Sequence, residues 1–192
     1  MVRELKDVAE SWPVTRSEDL YRTDWVVALR HDQLHSPGDE ATFGRLVLEH
    51  PGAVIVLAVD DRRQAYCLWQ YRHPASRRFV ELPAGLLDAA GEEPVDTARR
   101  ELREEAGLSA DDWTPLGRTW ASPGISAEVM HFFLARGLRP AEDDGFVPAH
   151  EEAEMSAGWV PVADLRAAVL AGDVADGPLV QALLLADAKG LL

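Results

Sequence analysis

Residues 94–108 read Pro-Val-Asp-Thr-Ala-Arg-Arg-Glu-Leu-Arg-Glu-Glu-Ala-Gly-Leu, and this stretch organises the rest of the chain. It predicts a helix over 94–106, because proline suits a first helical turn and the glycine at position 107 suits a C-terminal cap. Its apolar residues recur at helical spacing and are expected to pack on a sheet. These residues are Val95, Ala98, Leu102 and Ala106.

Three glutamates occupy another part of the same predicted helix. Glu101 and Glu105 are four residues apart and share a face, with Glu104 beside them. Like charges at this spacing repel, but carboxylate oxygens are also the ligands that Mg²⁺ and Mn²⁺ accept. The alternative is a solvated helix face whose acids are balanced by neighbouring arginines, and composition alone favours that interpretation.

Length, charge and cysteine content restrict the class of protein. The chain has 192 residues and a formal net charge of -14, which argues against nucleic acid as the main partner. The single cysteine, Cys67, cannot form an internal disulfide, which fits a reducing compartment. Neither a signal peptide nor an apolar run long enough for a membrane span is evident, so we expect a cytoplasmic protein without a membrane partner.

Strands and helices alternate without a strict βαβ order, which predicts an α+β fold with a mixed β-sheet flanked by helices. A small antiparallel sheet is expected before residue 50, and two helices close the chain. The predicted strands are 24–30, 42–48, 53–59, 65–72, 79–82, 113–121, 128–135 and 158–162, and the predicted helices are 94–106, 163–171 and 178–189.

Gly85 and Glu92 stand upstream of the helix in a characteristic register. This part of the chain resembles the Nudix box, whose pattern is glycine, five residues, glutamate, seven residues, then Arg-Glu-apolar-any-Glu-Glu-any-Gly-apolar. Gly85 corresponds to the first glycine, and every fixed position from Glu92 to Leu108 matches. One departure is that six residues separate Gly85 from Glu92, and the extra residue falls in the loop 88–91. The resemblance implies an α/β/α sandwich, with an N-terminal β arm over 1–50, a Nudix hydrolase domain over 51–192 and the box at 85–108.

Motifs outside the box resemble those of bacterial ADP-ribose pyrophosphatases. They are Gln70-Tyr71-Arg72, Glu81-Leu82-Pro83-Ala84-Gly85 and Ser122-Pro123-Gly124. The resemblance implies metal-dependent hydrolysis of the diphosphate bond of ADP-ribose to AMP and ribose 5-phosphate. It assigns two or three Mg²⁺ ions, or Mn²⁺, to the backbone carbonyl of Ala84 and to Glu101 and Glu105, with Glu104 serving a further ion.

The same resemblance suggests roles for the substrate-binding residues. Arg72 would contact the diphosphate, since its planar fork suits phosphate oxygens. Gly85 would let the backbone approach the substrate closely. Ser122 and Glu128 would face the terminal ribose, and Trp25 would help enclose the adenine.

The catalytic residues are expected in two places. Arg100 belongs to the box, whereas the resemblance implies that the general base lies on the acidic loop 140–154. Glu151 is the first choice for the base and Glu152 the second, although a run of glutamates is also typical of a solvated loop.

Relatives of this kind are expected to form homodimers through an exchanged N-terminal segment. Two other functions stay open at this point. One is cleavage of another nucleoside diphosphate derivative, such as a sugar nucleotide, NADH, FAD or a dinucleoside polyphosphate. The other is a sensor that binds ADP-ribose without cleaving it.

Overall fold

A computed structural model describes residues 5–23, 27–38, 41–142, 145 and 154–192. These residues form three α-helices and ten strands. The helices are α1 (Pro94–Ala106), α2 (Val162–Ala171) and α3 (Gly177–Ala188). The strands are β1 (Val14–Tyr21), β2 (Ala28–His35), β3 (Thr42–Glu49), β4 (Ala53–Ala58), β5 (Gln64–Arg72), β6 (Arg77–Glu81), β7 (Ala84–Leu86), β8 (Leu108–Trp120), β9 (Val129–Pro140) and β10 (Ser156–Pro161).

The chain divides into two compact units, and the first comprises Met1–His50 with Ser122–Glu128. Its sheet has the order β1-β2-β3, and both strand pairs are antiparallel. The later segment joins this unit through backbone hydrogen bonds, such as the one that the Leu48 N–H donates to the Ile125 carbonyl at 2.8 Å. The predicted small antiparallel sheet near the N-terminus is therefore confirmed.

One strand prediction in this unit was inaccurate, and one strand was missed. The strand predicted over 24–30 begins at Ala28 instead and continues to His35, while residues 24–26 lie outside the described part of the chain. Strand β1 was not predicted at all. All eight of its residues are exposed, so its sequence carries no alternation of apolar and polar positions.

The second unit comprises Pro51–Ala121 and Val129–Leu192 and contains two sheets. One has the order β7-β4-β9-β8, and the other has the order β10-β5-β6. Strands β4 and β9 run parallel, whereas every other pair in these two sheets is antiparallel. The predicted mixed sheet is confirmed.

The core of this unit lies on both faces of β4. Val54 and Val56 are fully buried in a cluster with Ala98 and Leu102 of α1. Alternate residues of β4 point to the opposite face, where they join a second cluster with α2 and α3. That cluster includes Ile55, Leu57, Phe132, Leu134, Leu165, Leu179, Leu183 and Ala186. Helices thus cover both faces of the central strand, and the α/β/α sandwich is confirmed.

Helix α1 has the bounds that the sequence predicts. Its C-terminal cap, Gly107, has a φ of 62°, which a residue with a side chain rarely adopts, and its N–H bonds to the Arg103 carbonyl at 2.9 Å. Directly after this cap, β8 begins at Leu108, five residues before the predicted start. Its partner β9 also runs further than predicted, to Pro140. Only Leu108, Ala110 and Leu138 of these extensions pack against the core, and they are only partly buried, which leaves little hydrophobic pattern in the sequence.

The described helices are all packed on sheets, and none of them is long and apolar enough to cross a lipid bilayer.

Candidate active site

The short strand β7, which the sequence did not predict, brings the loop before the Nudix-like box against α1. It pairs with β4, with Ile55 opposite Ala84. The Ala84 N–H donates a hydrogen bond to Oε2 of Glu105 at 2.8 Å. At the next residue, Gly85, a Cβ atom would overlap the carboxyl group of Glu101. The backbone at residues 84–85 therefore lies against both carboxylates that the sequence placed on one helix face.

Glu101 is a buried carboxylate, with 9% of its surface exposed. Burial raises its pKa to about 7, and Glu104 and Asp88 act in the same direction, while Arg100 opposes them. A cation at this position would stabilise the ionised form. Sequence spacing alone does not connect Asp88 with this helix, because Asp88 lies in the loop that carries the extra residue.

Arg100 holds the acids of the box together. Its Nη1 donates to Oε1 of Glu101 at 2.6 Å and to Oε2 of Glu104 at 3.2 Å, and its Nη2 donates to Oε2 of Glu92 at 3.4 Å. Thr97 donates a further hydrogen bond to the same oxygen of Glu92 at 3.0 Å. Burial opposes the charge of Arg100, but the surrounding glutamates outweigh this effect and raise its pKa. These contacts make Arg100 a charge-balancing residue within the box.

The donors around Ala84 suit a hard divalent cation in their chemistry, since they are carboxylate and backbone oxygens. Within the described residues, no three His, Cys, Asp or Glu side chains are grouped closely enough to hold a metal ion by themselves. The set expected for the first ion differs from such a group, because one of its donors is the carbonyl of Ala84 and only two are side chains, Glu101 and Glu105, while Glu104 is expected to serve a further ion. The buried charge of Glu101 is what a bound cation would offset.

Arg72 ends strand β5 beside this group of acids. Its Nε donates to Oε1 of Glu81 at 2.9 Å, and its Nη2 donates to Oε2 of the same carboxylate at 2.6 Å. These hydrogen bonds raise the pKa of Arg72, and the charges of Glu105 and Asp176 add to the effect. Arg72, the candidate phosphate-binding residue, and Glu105, a candidate metal ligand, therefore interact electrostatically within one site.

Asp176 enters the site from the N-terminus of α3. Its carboxylate caps the helix by accepting the Leu179 N–H at 2.8 Å. Burial raises its pKa to about 6, Glu81 adds to the shift, and Arg72 opposes it. Aspartate before Gly-Pro is a recognisable N-cap signal in the sequence, but nothing in the sequence places that cap near Arg72.

The remaining predicted site residues belong to the first unit or lie outside the described residues. Ser122 and Glu128 belong to the first unit, where the Ser122 carbonyl accepts the Ser126 N–H at 2.8 Å. Trp25, Glu151 and Glu152 lie outside the described residues. Their roles stay predictions.

Comparison with known proteins identifies the family of this chain. The family model described as the NUDIX domain matches residues 49–183, which is well over half of the chain. The chain belongs to the Nudix family. An ADP-ribose pyrophosphatase of Mycobacterium tuberculosis is 44% identical to this Nudix hydrolase over 171 residues, covering 88% of this chain and 81% of that protein. A second protein of that name, from Bacillus subtilis, is 40% identical over 132 residues, or 66% of this chain and 70% of that protein.

A solved structure described as an ADP compounds hydrolase has the same fold. It superposes with a TM-score of 0.77 at 20% sequence identity and covers 97% of this chain and 100% of its own. At this identity the likeness establishes the Nudix fold alone. Nudix hydrolases in general depend on divalent metal ions.

Gly85→Ala should separate activity from stability in this Nudix hydrolase. The added methyl group would displace the Glu101 carboxyl, which is the end of a flexible side chain and can move at little cost to the fold. We expect turnover of nucleoside diphosphate derivatives to fall by about 10²-fold, since small misplacements at a reacting centre have effects of that size. Phosphomonoester release and thermal unfolding measure the two quantities. Gly158→Ala is the control, because its Cβ would make only ordinary contacts with Trp69. Normal turnover in Gly85→Ala would contradict the role of the close approach.

Asp176→Asn should change the dependence of stability on pH. The folded pKa of Asp176, about 6, lies above its ordinary value of 3.8. The protonated carboxyl of Asp176 therefore contributes its full stability when the pH is below the ordinary pKa. This contribution is lost as the pH rises through the pKa of the folded state. Asparagine still accepts the capping hydrogen bond but cannot ionise. Relative to wild type, we expect the variant to gain free energy of unfolding between about pH 4 and about pH 7, measured by urea unfolding.

The matched control is Asp164→Asn, the same change at an exposed position in the first turn of α2. If the free energy of unfolding of Asp176→Asn differs from that of the wild type by the same amount at every pH, burial of the ionised Asp176 carboxylate is not unfavourable.

Proposed function

We propose that this Nudix hydrolase cleaves the diphosphate bond of ADP-ribose and releases AMP and ribose 5-phosphate. The observation that carries the proposal is the single group of charges formed by Arg72, Glu105 and the Ala84–Gly85 backbone. This group supports the proposal, because a guanidinium suits phosphate oxygens and the neighbouring carboxylate and backbone oxygens suit a metal ion. The relatives from M. tuberculosis and B. subtilis are both named for ADP-ribose, and this supports the choice of substrate.

Each side chain of the site has a distinct part in the proposed reaction. Arg72 binds the diphosphate oxygens, and Gly85 leaves space for the substrate next to the backbone. Arg100 keeps Glu101 and Glu104 in place and balances their charge. Mg²⁺ or Mn²⁺, held by the Ala84 carbonyl, Glu101 and Glu105 with Glu104 in support, would supply Lewis acidity and favour ionisation of water.

The reaction consumes one water molecule. Its oxygen bonds to one phosphorus, the bond from that phosphorus to the bridging oxygen breaks, and a general base accepts the water proton. We propose Glu151 as the base and Glu152 as the second choice. Ser122 and Glu128 are proposed to bind the terminal ribose, whose hydroxyls need acceptors such as a carboxylate, and Trp25 to cover the adenine.

Hydrolysis of ADP-ribose with Mg²⁺, followed as AMP release, tests the proposal directly. Tight binding without turnover would favour the ADP-ribose sensor, and faster cleavage of a sugar nucleotide, NADH, FAD or a dinucleoside polyphosphate would assign another Nudix substrate.

Glu105→Gln should reduce turnover of ADP-ribose by about 10²-fold or more, because it removes the charge of a proposed metal ligand while retaining its size. Glu93→Gln is the matched control, since it makes the same change at an exposed position before the same helix, where the side chain makes no cap hydrogen bond. Removal of divalent ions by a chelator should abolish turnover, and added Mg²⁺ or Mn²⁺ should restore it. Turnover of Glu105→Gln at the wild-type rate would exclude Glu105 as a metal ligand.

The same assay locates the base. Loss of activity in Glu151→Gln with activity in Glu152→Gln is the expected result. The reverse pattern would move the base by one residue, and two active variants would place it elsewhere in the chain.

We also propose that the protein acts in the cytoplasm as a homodimer formed through its N-terminal unit. Strand β1 is exposed along its whole length, and large apolar residues in and before it are exposed. These are Leu5, Val8, Trp12, Val14, Leu20 and Tyr21. Such a surface is typical of a protein interface. The lone cysteine, Cys67, is a buried free thiol, which fits a reducing compartment.

Light scattering tests the dimer. We expect a mass twice that of the 21.1 kDa chain, and Leu20→Glu should shift it to the monomer mass because a charge cannot be buried at an apolar contact without a large cost. Leu170→Glu, at an exposed position of α2, is the control. A monomer in the wild type would refute the proposal.

A further inference from the structure

Glu81 is a buried carboxylate that neither the Nudix box nor the candidate metal site uses. It ends β6 and is 5% exposed. It lies opposite Leu68 of β5, while Arg72 lies four residues further along that strand. Positions 68 and 72 share a face of the sheet, so Glu81 and Arg72 are on the same side. A carboxylate in this environment is expected to have a partner, and here the partner is the candidate diphosphate ligand.

The ion pair joins a fixed group to an accessible one. The side chain of Glu81 is 7% exposed and that of Arg72 is 49% exposed. Glu81 engages Nε and Nη2 of Arg72 with both carboxylate oxygens, at 2.9 Å and 2.6 Å for the two closest contacts. In the part of the chain that the structure describes, Nη1 donates no hydrogen bond. One edge of the guanidinium is therefore held by the fold, and another edge remains for phosphate oxygens.

Two other carboxylates lie close enough for their charges to act on the same arginine. The charges of Glu105 and Asp176 act on Arg72 in addition to that of Glu81. Asp176 already accepts the Leu179 N–H, and Glu105 already accepts the Ala84 N–H. Without Glu81, electrostatic attraction would draw the guanidinium toward these groups, and pairing with Glu105 would occupy a proposed metal ligand.

We propose that Glu81 is a positioning residue, which directs the Arg72 guanidinium toward the substrate diphosphate and keeps it from pairing with Glu105. This inference rests on the proposed function, because Arg72 must contact the substrate for its orientation to affect the reaction. A residue that supports the fold alone would change stability without acting through Arg72.

A double-mutant cycle distinguishes these possibilities. Glu81→Gln and Arg72→Lys are each expected to lower kcat/KM for ADP-ribose by about 10- to 100-fold, the range typical of groups that orient ligands at an active site. Because Glu81 acts through Arg72, the second substitution should add no further loss. The double variant should be as active as the less active single variant, or more active. Losses that multiply in the double variant would overturn the proposal.

Asp187→Asn is the matched control for the structural effect of losing a carboxylate from an arginine pair. Asp187 of α3 accepts two hydrogen bonds from Arg166 of α2, each at 2.5 Å, in the same bidentate arrangement. This variant should change thermal unfolding and leave kcat/KM unchanged. An equal loss of kcat/KM in Asp187→Asn and Glu81→Gln would mean that Glu81 acts through stability alone.

A crystal structure of Glu81→Gln gives a readout that does not depend on the substrate. We expect the Arg72 guanidinium to turn toward Glu105 or Asp176, and an unmoved guanidinium would overturn the inference whatever the enzyme cleaves. Absence of ADP-ribose turnover in the wild type would instead contradict the proposed function. The cycle is then measured on the nucleoside diphosphate derivative that the wild type does cleave.

Discussion

The candidate site depends on how closely helix α1 approaches the three-residue strand β7. The hydrogen bond from the Ala84 N–H to Glu105 fixes one point of this contact, and the missing side chain at Gly85 leaves room for the Glu101 carboxyl. On the other face of α1, Leu102 is fully buried against β4. The helix is thus held by its apolar side, while its acids meet the backbone of β7, which pairs with the same strand. Contact with the same strand, β4, therefore fixes the positions of both α1 and β7.

Charge balance is the second constraint on this site. The chain carries a net charge of -14, and its carboxylates here are partly buried. Two arginines offset them in different ways. Arg100 contacts three glutamates of the Nudix box, whereas Arg72 is held by Glu81 and keeps half of its side chain exposed. The first arginine is suited to hold ligands in place, and the second is suited to meet a phosphate. Partial burial strengthens the attraction between these charges, and the hydrogen bonds between them offset part of the cost of removing water.

Much of the fold could be predicted, and the errors have a common cause. Helix α1 has the predicted bounds because its cap residues and its apolar spacing are both local signals. Strands with a buried face, such as β4 and β5, were found for the same reason. Strand β1 is exposed throughout and β7 has only three residues, so neither leaves a pattern that can be recognised. A strand that is held by backbone pairing without a buried face carries no periodic side-chain pattern, and its sequence therefore does not reveal it.

The sequence alone determined the family and which acids share a helix face, because the spacing of Glu101, Glu104 and Glu105 is fixed by helical geometry. It also determined the register of this helix with Gly85. The tertiary structure decided what these residues contact. It placed the Ala84 N–H on Glu105 and joined Arg72 to Glu81, and it brought the cap of α3 into the field of that arginine. These contacts join segments far apart in the chain, and only the packing of sheet and helices brings such segments within the range of a hydrogen bond.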